Sequence, residues 1–258
     1  FMFEYGSEHL YRPKFVILYK SIKPLIKFGL YHTGERIVNV FSLNIDKVII
    51  SQKLGLTDLG IYNVFSQIIL MPLSKINPIA HNITYPIYAD IKDDKGKISD
   101  TYIIHIKLTS ILTLPLFVYI YFFSEALVAI ILGEQWLEHA HILSIMALVG
   151  LSKSVANPGG AILLALNRPD IGFWWNVFWS IATVSALYIS SLISQTLEAL
   201  SLSLVVLAYT LGLIWHYLIY RETAVNYSVI LAFLMRICIV SVSICLLLNY
   251  LYTASNLN

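Results

Sequence analysis

Long apolar stretches separated by short polar segments make up most of the chain. A helix that crosses the hydrocarbon core of a bilayer needs about 20 mostly apolar residues. Residues 171–193 and 199–220 contain no Asp, Glu, Lys or Arg, and residues 223–254 contain only Arg236. Two further stretches are apolar around a few interior polar residues, and two near the start are long enough but carry polar side chains at helical spacing. The seven predicted spans are residues 29–54, 59–89, 102–123, 142–166, 171–193, 199–220 and 223–254.

The composition agrees with a membrane protein. Of the 258 residues, 58% are hydrophobic and 12% are charged, and the mean hydropathy is +0.74. Ordinary globular domains carry roughly 25% charged residues, so a soluble chain of this size would have too few charges to cover its surface. A net charge of +2 gives no indication of nucleic acid as a partner. The sequence therefore predicts an all-α, polytopic transmembrane helix bundle of about seven spans.

The loops differ strongly in their content of Lys and Arg. Ten of these residues lie before the first span and in the loops after spans two, four and six, whereas the alternate loops contain only Lys53. Cytoplasmic loops carry such an excess of positive charge. We therefore expect the N-terminal segment in the cytoplasm and the C-terminus outside.

Three segments follow from this topology. Residues 1–28 are basic around a short apolar run, and we interpret them as a cytoplasmic linker or an interfacial helix on the anionic leaflet. Residues 29–222 form a six-helix unit, and residues 223–258 add one transmembrane helix and an external tail. The chain opens on Phe1 with no signal peptide, so we expect it to begin inside a longer protein.

The first predicted span carries polar and charged side chains on one helical face. Each charge near the bilayer centre costs about 2.5–3.5 kcal/mol on insertion scales, so four charges on one span need water, a partner or a ligand. One interpretation is structural ion pairing at the helix ends, and the other is a hydrophilic transport pathway. The residues of this face are His32, Glu35, Arg36, Asn39, Ser42, Asp46 and Lys47.

The second predicted span repeats this design. Pro72, Pro78 and Pro86 are expected to interrupt the helix, which would free carbonyls that a cavity can hydrate. The candidates for the pathway on this span are Gln67, Asn77 and His81, although His81 also fits a hydrogen-bonded bystander. Its polar face comprises Asn63, Ser66, Gln67, Ser74, Asn77, His81, Thr84 and Tyr85.

The other spans contain a few isolated polar features. Lys153 precedes a helix-breaking Asn-Pro-Gly-Gly sequence at residues 157–160, where either an unwound helix or a plain kink is expected. Lys107 lies near a helix end, where snorkelling explains it, and Arg236 lies mid-span and needs a partner or a lipid phosphate. No phosphate loop, nucleophile elbow or metal-ligand cluster is present in the sequence. We therefore predict no enzymatic activity, no metal and no cofactor, apart from an unidentified coupling ion.

Four segments resemble one family closely. Residues 28–62, 71–94 and 157–176, together with the Gly-Glu-Gln-Trp turn at 133–136, are similar to bacterial polysaccharide exporters. These are O-antigen and colanic-acid type flippases of the multidrug/oligosaccharidyl-lipid/polysaccharide superfamily. The resemblance extends from Arg12 to Tyr220, and one departure is Ser51, where we expect glycine.

The resemblance implies a fold and a function. It implies a two-lobed alternating-access transporter, of which this chain would be the second lobe plus one span, with the N-terminal lobe missing. The implied substrate is an undecaprenyl-diphosphate-linked oligosaccharide, flipped across the bacterial inner membrane among membrane lipids and beside polysaccharide polymerase or export machinery. The alternatives are a drug/cation antiporter of the same superfamily, and a membrane enzyme or scaffold that acts on lipid-linked sugars.

Overall fold

The computed structural model describes residues 19–91, 94–156 and 158–255, and every regular element within them is a helix. A 3-10 helix, Glu134–His139, lies between α5 and α6. The predicted linker at residues 1–28 falls largely outside the described residues. The α-helices are α1 Tyr19–Ser42, α2 Ile45–Leu54, α3 Leu56–Asp90, α4 Lys95–Phe122, α5 Ser124–Ile131, α6 Ala140–Ala156, α7 Pro158–Ala165, α8 Pro169–Ile193, α9 Leu197–Thr223 and α10 Tyr227–Ser255.

Six helical stretches in the described part of the chain are long and apolar enough to cross a membrane. They correspond to the second to seventh predicted spans, so the prediction of an all-α, polytopic membrane bundle is confirmed. Many of their large apolar side chains are exposed on the outside of the bundle, where lipid would surround them. The stretches are Leu56–Tyr88, Lys95–Phe122, Glu134–Ala165, Pro169–Ile193, Leu197–Thr223 and Tyr227–Leu251.

The first predicted span is two helices rather than one. A turn at Leu43 and Asn44 separates α1 from α2, so the prediction of a single helix over residues 29–54 is wrong. Asn44 explains the break, because its side-chain amide donates to the Val40 carbonyl at 2.8 Å. Such local side-chain bonds compete with the helical backbone pattern. At its other end, α1 begins at Tyr19 and runs without interruption through the predicted segment boundary at residue 28.

The prolines of the second predicted span do not interrupt it. Helix α3 is continuous over 35 residues and contains Pro72, Pro78 and Pro86, so that prediction is wrong. Each proline removes one backbone donor, but neighbouring helices and hydroxyl groups can satisfy the freed carbonyls in a membrane helix.

A break does occur at the Asn-Pro-Gly-Gly sequence, where α6 ends at Ala156 and α7 begins at Pro158. Asn157 itself lies outside the described residues. Trp215 of α9 fills the notch at this break, and its indole N–H donates to the carbonyl of Ala156 at 2.8 Å. A Cβ atom on Gly159 would lie only 2.6 Å from the Trp215 Nε1 atom. Glycine is therefore needed for the two helices to approach.

The interior consists of two apolar clusters towards opposite ends of the bundle. One joins α2, α3, α6 and the start of α9 around Phe65, Leu143 and Leu200, and the other joins α4, α7 and the end of α9 around Ile106 and Ile162. These five side chains are fully buried. The clusters fix how the helices of the bundle lie relative to one another.

Polar contacts connect the loops that the charge distribution assigns to the same side. At the predicted cytoplasmic end, Arg168 contacts Asp170 at 3.1 Å and Glu222 at 2.9 Å. The pKa of Arg168 is raised, chiefly by its hydrogen bond to Asp170. At the predicted external end, His141 contacts Glu198 at 2.5 Å. The arrangement of these ends agrees with the predicted alternation of the loops.

Candidate transport surface

Helix α1 packs on α8 with part of its polar face. Glu35 is half-buried and lies against Gly172, where a Cβ atom would be 2.8 Å from the Glu35 Oε1 atom. His32 Nδ1 is 3.8 Å from Glu35 Oε2, within reach of an ion pair if the imidazole is protonated. Further along, the Ser42 hydroxyl donates to the Asn176 carbonyl at 3.1 Å. Glu35 thus lies at a helix contact rather than on an open surface.

Two other candidates on α1 remain open. Arg36 and Asn39 are exposed, and neither side chain makes a hydrogen bond or ion pair with any residue that the structure describes. The neighbouring apolar side chains Ile37 and Phe41 are exposed as well. A guanidinium that the protein leaves exposed on such a helix is costly inside a membrane. An anion, water or another protein surface is needed to offset that cost.

Asp46 is the centre of a polar cluster between α2, α3 and α6. The Tyr62 hydroxyl, on a side chain only 3% exposed, donates to Asp46 Oδ2 at 2.5 Å. The backbone N–H of Lys47 donates to the other carboxylate oxygen at 2.8 Å. Lys153 on α6 is within electrostatic range of Asp46 but does not form an ion pair with it. This carboxylate therefore has a donor and a nearby cation from within the chain.

The remaining candidates are distributed over α2 and α3. Lys47 is half-buried and its Nζ atom lies 3.4 Å from the Asn44 Oδ1 atom. Gln67 is exposed, whereas Asn77 is half-buried and its Oδ1 atom has no partner among the described residues. His81 stacks on Tyr85 with ring centroids 5.4 Å apart.

The eight candidate residues therefore do not form one continuous stripe. The break at Leu43 and Asn44 separates Glu35, Arg36 and Asn39 from Asp46 and Lys47. Within the described ranges, α2 and α3 are connected by the hydrogen bond that the Tyr62 hydroxyl donates to Asp46. Tyr62 was not one of the candidate residues. Periodicity did not select Tyr62, because its ring is amphipathic and it lies beside the polar face.

The Asp46 cluster gives the first testable prediction. We expect Asp46→Ala to cost about 2 kcal/mol and to lower the thermal unfolding midpoint of the purified protein by about 4–8 °C, since it leaves the buried Tyr62 hydroxyl unpaired. In a double-mutant cycle, Asp46→Ala combined with Tyr62→Phe should be no less stable than Asp46→Ala alone. Asp90→Ala, at the exposed end of α3, serves as the control and should change little. Additive effects of the two substitutions would show that the pair does not interact.

The sequence comparisons identify the family. The family described as polysaccharide biosynthesis protein matches residues 5–141, more than half of the chain. The chain belongs to this family, and the resemblance to polysaccharide exporters is confirmed. It is a multi-pass membrane protein related to proteins of polysaccharide biosynthesis and transport.

Individual relatives come from several bacteria. The teichuronic acid biosynthesis protein TuaB of Bacillus subtilis is 34% identical over 64% of this chain and 34% of its own length. The lipopolysaccharide biosynthesis protein WzxC of Escherichia coli is 30% identical over 73% of this chain and 38% of its own length. The succinoglycan biosynthesis transport protein ExoT of Rhizobium meliloti is 24% identical over 80% of this chain and 42% of its own length. The chain thus spans between a third and a half of each relative, and no solved structure matches it significantly.

Proposed function

We propose that the chain is one lobe of an inner-membrane exporter that flips undecaprenyl-diphosphate-linked oligosaccharide by alternating access. The observation that supports this most is the open Arg36 guanidinium on α1, in a bundle whose other large helices expose apolar side chains. A guanidinium forms two parallel hydrogen bonds to phosphate oxygens. A lipid diphosphate supplies the negative charge, and its prenyl chain suits the apolar exterior.

The relatives support the class of substrate. Their names refer to teichuronic acid, lipopolysaccharide and succinoglycan, which are different polymers. A site that serves different sugars is expected to recognise the part that the lipid-linked substrates share, which is the diphosphate and the lipid. Arg36 is suited to bind the diphosphate. On this proposal, the chain carries no catalytic residue, and polymerase or export machinery takes up the flipped product.

The Asp46 cluster argues against the cation antiporter. Such a transporter would need an acidic side chain that is free to take up a cation. Asp46 instead accepts hydrogen bonds from Tyr62 and from the Lys47 backbone, and it lies near the Lys153 ammonium. Each oxygen of the Asp46 carboxylate therefore already has a hydrogen-bond donor within the chain, which makes the group poorly suited to take up a cation.

A membrane enzyme would need a catalytic base, and the candidates are His139 and His141 near the predicted external loop. His141 contacts Glu198 at an exposed end of the bundle, where the two side chains are 46% and 54% exposed. This contact is solvent-exposed and joins the starts of α6 and α9, so it offers no enclosed site in which a base would act on a lipid-linked sugar.

A complementation experiment tests the proposal. In a strain that lacks its own exporter, we expect surface polysaccharide to return only when this chain is expressed with an N-terminal lobe of an exporter of the same family. The share of the relatives that the chain covers, at most 42% among the three described, motivates this design. Each half alone should leave lipid-linked sugar in the cytoplasmic leaflet.

The comparison between one half and both halves is valid only if each half accumulates in the membrane. Immunoblots of the membrane fraction are the control for this. Full recovery with residues 1–258 alone would overturn the one-lobe proposal and favour a homodimer. No recovery with both halves present in the membrane would overturn the exporter function.

A further inference from the structure

An open apolar groove lies between α4 and α10, separate from the candidate transport surface. Its volume is about 640 Å³. The two helices present side chains at regular helical spacing to each other along the groove, and α10 packs mainly on α4. The lining residues that define it include Ile111, Pro115, Tyr119, Ile237, Ser241 and Leu248.

Two cations lie at the same end of this groove. Arg236 is part of its wall. Lys107 precedes Ile111 by one helical turn, and its Nζ atom lies 5.4 Å from the ring centroid of Phe233, which also lines the groove. Among the residues that the structure describes, neither cation forms an ion pair with a carboxylate. The groove is therefore apolar along its length and positively charged at one end.

The two cations lie in the same half of their helices. Lys107 is twelve residues after the start of α4 and Arg236 is nine residues after the start of α10, or about 18 Å and 14 Å along the helices. Helices of 28 and 29 residues are about 42–44 Å long and extend past both faces of a hydrocarbon core of about 30 Å. With about 6–7 Å of each helix outside each face, the backbone of Lys107 lies about 12 Å and that of Arg236 about 7 Å inside the core, and snorkelling carries their charged groups towards the headgroups. The loop charges assign this end to the cytoplasmic leaflet.

The length of the groove suits one hydrocarbon chain. From Arg236 to Leu248 the groove follows twelve residues of α10, about 18 Å. One leaflet of the hydrocarbon core is about 15 Å thick. A lipid whose phosphate lies at Arg236 would therefore place its chain along most of the groove.

We propose that the α4–α10 groove binds an anionic phospholipid of the bilayer, with its phosphate between Lys107 and Arg236 and one acyl chain along Ile111, Pro115 and Ser241. The charge complementarity favours this occupant, because Arg236 in the wall of the groove and Lys107 beside Phe233 have no carboxylate partner among the described residues. The groove shares no residue with the polar faces of α1 and α3, so the lipid is a structural ligand that fastens α10 to the bundle through α4.

Thermal unfolding of the purified chain in detergent tests this site. Phosphatidylglycerol at saturating mole fraction should raise the midpoint by about 5–10 °C relative to the same amount of phosphatidylcholine. The double variant Lys107→Gln/Arg236→Gln should lose this rise. Arg221→Gln removes one exposed cation outside the groove, at the same predicted side of the membrane, and should keep it.

A second pair of variants tests the groove without changing the charges of Lys107 and Arg236. Ile244→Trp places a large ring in the groove, whereas Ile239→Trp places one on a different face of α10; the two native side chains are 52% and 60% exposed. Only Ile244→Trp should reduce the response to phosphatidylglycerol. Because neither substitution removes a charge, this comparison holds even if the double variant is unstable.

Three outcomes would overturn the proposal. Equal midpoints in the two phospholipids would show that no anionic lipid is bound. Equal loss of the response in the double variant and in Arg221→Gln would show only general attraction between charges. A midpoint raised by undecaprenyl phosphate but not by phosphatidylglycerol would assign the groove to the prenyl carrier instead.

Discussion

Replacing Arg36 by Glu is expected to reduce polysaccharide export about ten- to hundredfold while the protein still accumulates in the membrane. The guanidinium is exposed and has no partner among the described residues, so the substitution removes no internal bond. It does remove charge-assisted hydrogen bonds to a diphosphate, which contribute about 1.5–3 kcal/mol each, and a factor of ten in binding corresponds to about 1.4 kcal/mol. The measurement is surface polysaccharide in the strain that expresses both lobes.

Two further variants test whether the effect depends on the arginine side chain at position 36. Arg36→Lys should retain partial export, since a point charge persists without the two-pronged hydrogen bonding of arginine. Arg221→Glu carries the same charge reversal at the exposed end of α9 and should export normally. Normal export by Arg36→Glu would remove Arg36 from the pathway. A loss of protein from the membrane would instead indicate a structural role for this residue.

Truncating Trp215 to Ala is expected to be the most destabilising of the substitutions considered. The side chain is 6% exposed and fills the notch between α6 and α7. Large-to-small substitutions of buried aromatic residues cost about 3–5 kcal/mol. The purified variant should therefore unfold about 6–20 °C lower. Trp174→Ala, on an indole that is 60% exposed, is the matched control and should unfold near the wild-type temperature.

The contact with Gly159 makes this prediction more specific. Gly159→Ala alone should destabilise the protein, because the new Cβ atom would lie 2.6 Å from the Trp215 Nε1 atom. In the Trp215→Ala background the same change should have little further effect, since the ring it would meet is gone. A full additional loss in the double variant would contradict the role of Trp215 at this break.

The sequence was sufficient to predict the membrane-spanning architecture. Spans are set by the thickness of the bilayer, so apolar length alone identified the six stretches formed by α3, α4 and α6 to α10. The break between α1 and α2 was not predictable in this way, because it depends on one local bond from the Asn44 side chain. The continuity of α3 through its prolines depends on neighbouring helices and hydroxyl groups, which a single sequence does not show.

The candidate site was predictable only in part. Helical periodicity selected the polar residues, but it assumed one straight helix and so placed Asp46 on the same face as Arg36. The partners of Asp46 come from α3 and α6, and both are distant in sequence: Tyr62 by 16 residues and Lys153 by more than a hundred. Packing brings them together, and no spacing rule connects them.

The turn at Leu43 and Asn44 separates α2, which is anchored in the interior, from α1, which has one main neighbour. Helix α2 buries Ile49 and Ile50 in the interior, whereas α1 packs mainly on α8. The two residues of the turn already lie outside the helices, so bending there breaks few helical hydrogen bonds. Arg36 is eight residues from Asn44, about 12 Å along the axis, and a rotation of about 20° would move it by about 4 Å. A bend at this turn would therefore move α1 and its exposed Arg36 as one unit relative to α2.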